Sequence, residues 1–248
     1  MSVWYCIPSA RPAAEANEVL NLWRERGYKI ALFVEPNTVD YAYREMANLW
    51  IIRETYPGYA AAVNELVRQV MRDDPECEWF VTGGDDVEPD LNHTAEEIAR
   101  ECSEYFYCQR STFGVMQPTG DRWGSTDPWA QKLPENRRAY VDRVCGSPWM
   151  GREFCRRIYG GKGPLWHEFE HMHVDEHLQA VAEKLGILWQ RPDLTHHHRH
   201  WARRPGVETS DCPKHLERVS GPEHWQESKA VFNRLKLGGF VEAEDLLP

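Results

Sequence analysis

Residues 78–90 read Glu78-Trp79-Phe80-Val81-Thr82-Gly83-Gly84-Asp85-Asp86-Val87-Glu88-Pro89-Asp90. A short apolar run breaks at a glycine pair and passes at once into carboxylates. An apolar run of this length fits a strand buried on both faces, the habit of parallel sheets. Carboxylates at a strand end supply hard oxygen donors, which a divalent ion needs when it must also hold a diphosphate. Glycines there let backbone approach a ligand closely. The plainer alternative is an acidic turn that only solvates a loop.

Working outward, the preceding segments repeat the theme. Val3–Ile7 is an apolar run ended by Pro8-Ser9, and Ala16, Leu20 and Trp23 then share one helical face. Gly27 closes that helix, and Ile30–Val34 is a second strand, ending at Glu35-Pro36-Asn37. After a Tyr-rich connection and Gly58 comes a helix with Tyr59, Val63, Leu66, Val67 and Val70 at helical spacing. Thr94-Ala95-Glu96-Glu97 is a capping box that opens another. Strands alternating with helices imply a mostly parallel sheet, with ligands at the carboxyl ends of its strands. Pro8–Arg11, Glu35–Asn37 and Gly83–Asp90 are therefore expected to face one crevice.

Beyond residue 105 the pattern is less regular. The spacing predicts a strand at Phe113–Gln117, helices at Trp149–Ile158 and Val174–Leu185, and strands at Ile187–Gln190 and Thr195–Trp201. Pro205–Pro213 reads as an exposed connection before a terminal helix around Trp225–Leu237.

Composition bounds the rest. The chain has 248 residues, 42% of them hydrophobic and 12% aromatic, enough for a sizeable core and incompatible with intrinsic disorder. No run approaches a membrane span, and the N-terminus lacks the basic and apolar regions of a signal peptide, so a soluble cytoplasmic protein is expected. Its 7 cysteines are scattered, with no C-x-x-C pair, which argues against a disulfide framework or a zinc knuckle. The formal net charge of −10 hides an asymmetry: residues 1–130 carry 11 basic and 22 acidic groups, whereas Lys132–Lys162 carries 8 basic and 3 acidic. Of 11 histidines, 10 lie after residue 130.

Three further constellations bear on chemistry. In Thr195-His196-His197-His198-Arg199-His200-Trp201 an extended chain puts His196, His198 and His200 on one face, where one could ligate a metal. His167-Glu168-Phe169-Glu170-His171 matches the H-E-x-x-H helix of zinc hydrolases, with His177 as a possible third ligand. Val174 stands where the extended motif needs Gly, and Gly160-Gly161-Lys162-Gly163-Pro164 leaves little room for a helix. Asp175, in the first turn of the 174–185 helix, is spaced to point inward with Leu178 and Ala182. A carboxylate so placed is a candidate general base, or simply a complement to the helix dipole.

The order of these segments resembles that of GT-A-fold, family-2-like glycosyltransferases over roughly residues 3–201. The resemblance implies a Rossmann-like α/β fold, a mostly parallel sheet flanked by helices. It divides the chain into a domain at 1–204, with a nucleotide-sugar half at 1–105 and an acceptor and metal half at 106–204, and a C-terminal helical extension at 205–248. Carried over, Pro8, Ser9, Arg11, Glu35, Asn64, Asp85 and Asp86 line the nucleotide-sugar site. Asp85 and His198 hold a divalent cation, Mn²⁺ or Mg²⁺, and Asp175 is the base of an inverting transfer. Gly83 replaces the first Asp of the family's D-x-D, and Val174 the Glu of its acidic pair. The segments Gln117–Gly124, Gly146–Phe154 and Trp189–His196 resemble phage-encoded glycosyltransferases associated with hydroxymethylated pyrimidines in DNA. That implies a UDP-sugar donor, duplex DNA carrying 5-hydroxymethylpyrimidine as acceptor, and acceptor-side roles for Asp121, Trp149 and Arg152. Trp149 and Trp123 are then candidates to replace a flipped base in the stack. A cell-envelope glycan is the alternative acceptor.

Overall fold

A computed structural model describes residues 1–36, 47–107, 112–128, 130–204, 206–208, 212–213, 216–217, 219 and 221–246. Asn37 and parts of the Tyr-rich and Pro205–Pro213 connections lie outside the described residues. The strands are β1 (Ser2–Pro8), β2 (Lys29–Val34), β3 (Leu49–Ile52), β4 (Cys77–Val81), β5 (Val87–Glu88), β6 (Val115–Pro118), β7 (Trp149–Gly151), β8 (Leu188–Arg191) and β9 (His197–His198). The helices are α1 (Ala13–Glu25), α2 (Tyr59–Asp73), α3 (Ala95–Tyr107), α4 (Trp123–Thr126), α5 (Glu135–Val141), α6 (Arg152–Gly161), α7 (Val174–Lys184) and α8 (Pro222–Leu237).

Seven strands form one sheet in the order β3-β2-β1-β4-β7-β6-β8, and β5 pairs with β9 in a separate ribbon. β3, β2, β1 and β4 run parallel, as do β6 and β8, while β7 is antiparallel to both its neighbours. This is a mostly parallel, Rossmann-like α/β arrangement, as expected. The strand alternation divides the core in two. Trp4, Cys6, Ala31, Phe33 and Phe80 face α2, α6 and α7. Val3, Tyr5, Ile7, Ile30, Leu32, Trp79 and Val81 face α1 and α3. Leu235 of α8 and Ala243 join the first of these cores, so the C-terminal extension packs on the sheet domain.

Two expectations are corrected here. Trp149–Gly151 is a strand, and the helix begins only at Arg152. A Cβ on Gly151 would fall 1.8 Å from the Thr112 carbonyl, so only glycine fits the close backbone approach beside β7. The 195–201 segment pairs only at His197 and His198. The capping box forms as expected: Glu97 accepts from the Thr94 backbone N–H at 2.8 Å, and Thr94 Oγ1 accepts from the Glu97 N–H at 3.3 Å.

Candidate functional site

The carboxyl ends of β1 and β4 meet the β5–β9 ribbon and the N-terminal ends of α2 and α7. Ser9 follows β1, and its hydroxyl donates to Asp85 Oδ2 at 2.7 Å. Arg11 donates from Nε to Asp85 Oδ1 at 2.7 Å and from Nη2 to Asp86 Oδ2 at 2.7 Å. Ser9, Arg11 and Asp85 are all buried. Val87 pairs with His198 across the ribbon, and this register brings His198 Nε2 to 3.2 Å from Asp86 Oδ1. It is therefore Asp86, not Asp85, that faces the histidine.

The glycine pair serves the protein's own atoms. A Cβ on Gly83 would sit 2.6 Å from the Tyr5 hydroxyl, which donates to the Gly84 carbonyl at 2.7 Å. A Cβ on Gly84 would sit 2.6 Å from Asp86 Oδ1.

Burial opposes ionisation of Asp86, but hydrogen bonding from His198 and the charge of Arg11 hold its carboxyl well below the usual range. His200 and His171 are both pushed down to about 4, chiefly by burial and then by the charge of His198. Both are neutral imidazoles at neutral pH. Trp123 completes this wall, its ring centroid 5.0 Å from that of His198 and 5.1 Å from that of His200. Arg203 stacks on Trp123 at 4.5 Å, held by Asp121 at 2.8 Å.

The site opposite is built by a long segment that sequence reasoning did not connect to it. Gly58 adopts φ +94°, and its bare Cα lets the backbone of Glu170 approach, with Tyr59 N–H donating to the Glu170 carbonyl. That contact sets His171 edge-on to Tyr59, centroids 5.9 Å apart. Tyr59 in turn donates from its hydroxyl to the Gly83 carbonyl at 3.0 Å. Burial raises the Tyr59 hydroxyl, and the neighbouring Asp175 raises it further. Asp175 is half-buried at the start of α7, its own carboxyl raised by burial and by Glu176.

Most of the other residues named from the sequence are held by the protein's own groups. Asn64 is buried and binds the backbone of Leu165 in both directions, at 2.8 and 3.0 Å, so it anchors the segment that carries His171. Glu35 accepts from the Tyr56 backbone N–H at 3.0 Å beside β2, and half-buried Pro8 closes β1. Asp121 spends its carboxylate on Arg203 and on His197, 3.1 Å away. Trp149 is fully buried within β7. Arg152 donates to the carbonyls of Met71 and Cys77 at 2.7 and 2.9 Å, closing the end of α2. The basic stretch is further depleted by Arg156, paired with Glu153 at 2.7 Å. His196 is buried against Ser147, its Nδ1 2.9 Å from the hydroxyl, while His198 and His200 are half-buried on the same side and His197 is exposed.

The H-E-x-x-H residues do not converge. No helix covers residues 162–173; His167 is exposed, and Glu168 binds Trp166 and Arg234. His177 is buried on α7 against Glu242 at 2.9 Å. Only His171 of that motif enters the crevice, and the sequence gives no signal for it beyond the motif itself.

Carboxylate and imidazole are donor types that a divalent ion accepts, and here Asp86 Oδ1 and His198 Nε2 lie 3.2 Å apart as a hydrogen-bonded pair. Such an ion draws its remaining ligands from phosphate and water. Among the described residues no group of three or more His, Cys, Asp or Glu side chains is gathered to hold an ion alone.

The buried histidine makes stability pH-dependent. Burial pushes His196 down to about 4, against about 6.5 in an unfolded chain. The unfolded state therefore takes up the proton first as pH falls. This contribution is complete above about pH 6.5 and is lost progressively toward pH 4. Urea unfolding is expected to lose on the order of 2 kcal/mol from His196 between pH 7 and 4.5. His196→Gln should flatten the profile by that amount; an unchanged slope in the variant would refute the assignment.

No family model matches the chain. No characterised protein in a search of curated sequences matches it either. Among solved structures it is similar to a glycosyltransferase involved in the glycosylation of the major capsid of PBCV-1, at 11% identity and a TM-score of 0.31. The likeness covers 62% of this chain and 61% of that one, less than two thirds of its length. No described helix is long and apolar enough to cross a membrane.

Proposed function

We propose that the protein is a metal-dependent glycosyltransferase that moves a sugar from a nucleotide-sugar donor to an acceptor hydroxyl with inversion. The observation that carries this reading is the apposition of Asp86 and His198 on one side of the crevice, with half-buried Asp175 beyond Tyr59 on the other. Ser9, Arg11 and Glu35, at the ends of β1 and β2, border the nucleoside side. Asp86 and His198 would hold the divalent ion, which would supply charge neutralisation for the departing nucleoside diphosphate. Asp175 takes the proton of the acceptor hydroxyl as its oxygen forms the new bond to the anomeric carbon. The bond to the diphosphate oxygen breaks on the opposite face, so the anomeric configuration inverts.

The donor we assign is a UDP-sugar, and the acceptor a 5-hydroxymethylpyrimidine of DNA; both rest on the sequence resemblance set out above. Trp123 is the aromatic side chain available to meet that acceptor. Arg199 and Arg203 pair with Glu88 and Asp121 and are not the cations that meet phosphates. DNA affinity then depends on cations such as Lys132, Arg137, Arg138 and Arg143.

The test is incubation with UDP-sugars and Mn²⁺ in the presence of DNA containing 5-hydroxymethylcytosine or 5-hydroxymethyluracil, followed by mass analysis of the nucleosides. A hexose or pentose added to either base is expected. Transfer to a saccharide instead would overturn the DNA acceptor alone. Failure to consume any nucleotide sugar would overturn the transferase reading.

A further inference from the structure

We propose that His173 is a positioning residue for the base: clamped beneath α8, it holds the Glu176 carboxylate aside, so that Asp175 alone is presented to the acceptor. This deepens the transferase reading and rests on it for the role of Asp175.

The clamp begins in the sequence of α8. Trp225, Ser228, Phe232 and Leu235 recur at three- and four-residue steps and so share one face of that helix. Ser228 and Leu235 are buried. Trp225 and Phe232 close on the His173 ring, with centroids 5.5 and 5.8 Å away, and Phe232 is stacked on it. Two ion pairs fasten α8 to the segment before α7: His224 with Glu170 at 3.2 Å, and Arg234 with Glu168. Beyond α8, Glu242 reaches the buried His177 at 2.9 Å. The C-terminal extension therefore braces α7 at its N-cap and again one turn further on.

His173 itself, at φ +62°, caps α7 and pairs through Nδ1 with the Glu176 carboxylate. Its Nε2 is buried with no hydrogen-bond partner among the described residues, so the ring spends its one partnered nitrogen on Glu176. Both side chains are largely covered, at 12% and 17% exposure. Asp175 accepts from the Glu176 backbone N–H at 2.9 Å, and among the described residues no side chain bonds to it. The titratable groups that face it are Glu176 and His173 on its own element, Tyr59 of α2, Tyr140 of α5, and Cys145 before β7. Two adjacent carboxylates repel, and either can take a proton. Fixing Glu176 on His173 leaves that task to Asp175.

The readouts are kcat with a nucleotide-sugar donor and the carbon-13 carboxyl shift of Asp175, titrated in the full chain and assigned by its loss in Asp175→Asn. His173→Phe keeps a ring between Trp225 and Phe232 but removes the donor to Glu176. It is expected to lower kcat about tenfold, the scale of loosening a group that orients a reacting one, with the donor KM within about twofold. The Asp175 midpoint should rise, because the His173 charge that lowers it is gone. His173→Asn puts its Nδ2 where the imidazole Nδ1 stood and tolerates a positive φ, so kcat should return to within about threefold of the unmodified protein. Glu176→Gln removes a neighbouring negative charge, so the midpoint should fall, and kcat should drop less than in Asp175→Asn. Phe232→Ala opens the clamp without touching His173 or the crevice and should lower kcat several-fold; an unchanged kcat there removes α8 from the mechanism. Circular dichroism and urea unfolding would confirm that each variant is folded. A folded His173→Phe with kcat within about twofold and an unmoved Asp175 midpoint overturns the proposal, since a purely structural His173 would change only the unfolding. Activity that survives Asp175→Asn but not Glu176→Gln overturns it as well. Failure to consume any nucleotide sugar overturns the transferase reading; the carboxyl titration then decides by itself whether His173 controls the pair, and an unmoved midpoint says that it does not.

Discussion

Asp175→Asn lowers turnover by about 10²–10⁴-fold while leaving nucleotide-sugar binding within a few-fold, because positioned proton transfer of this kind is worth that much and acts on the acceptor. The carboxyl is raised by burial and by Glu176, which brings it closer to the range in which a base accepts a proton from an attacking hydroxyl. Steady-state kinetics with a nucleotide-sugar donor would show the loss in kcat, and calorimetric titration with the donor would show binding intact. The paired variant His167→Ala, Glu168→Gln is the control, since both residues are exposed and lie apart from the crevice. If that pair abolishes activity and Asp175→Asn does not, the zinc-hydrolase reading replaces the transferase.

The first half of the sheet was legible because its strands are buried on both faces. The strands expected at Val3–Ile7, Ile30–Val34 and Glu78–Thr82 are built on apolar runs followed closely by Pro, Gly or a carboxylate, and each appears within a residue of those bounds. β3 escaped notice because it is four residues long and follows the Tyr-rich connection. β7 escaped because Met150, Phe154 and Ile158, four residues apart, continue the helical spacing of α6 backward into a strand. Period-two reasoning did separate the histidine faces, with His197 exposed and His196, His198 and His200 turned inward.

The partners of Asp85 and Asp86 were not legible, for a physical reason. Neighbouring side chains on an extended chain tend to point apart, yet here one arginine, 74 positions before Asp85, holds both. No local spacing encodes that partner. The same holds for Asn64 and Arg152. Each is a polar side chain whose role is to satisfy backbone groups far along the chain, as buried polar groups must, and each looks from the sequence like a binding residue.

Trp149→Ala should destabilise the protein by about 3–5 kcal/mol in urea unfolding, the usual cost of deleting a fully buried aromatic. That is a large share of the ~5–15 kcal/mol that holds a typical domain together. Trp149 is 0% exposed, sits in the antiparallel strand between β4 and β6, and meets Tyr28 edge-on at 5.6 Å. Its indole Nε1 has no hydrogen-bond partner among the described residues. Trp149→Phe removes that buried donor while filling most of the space, so relief of an unmet hydrogen bond offsets part of the lost packing. The phenylalanine variant should therefore cost well under half of what the alanine variant costs and leave the KM for acceptor within twofold. A residue that stacks on a flipped base gives the opposite pattern: KM for the acceptor rises at least tenfold in Trp149→Phe while the unfolding midpoint stays fixed. That result would return Trp149 to the acceptor side and require β7 to open during catalysis. The strand's place in the middle of the sheet argues against such an opening, because it would break ladders on both edges at once.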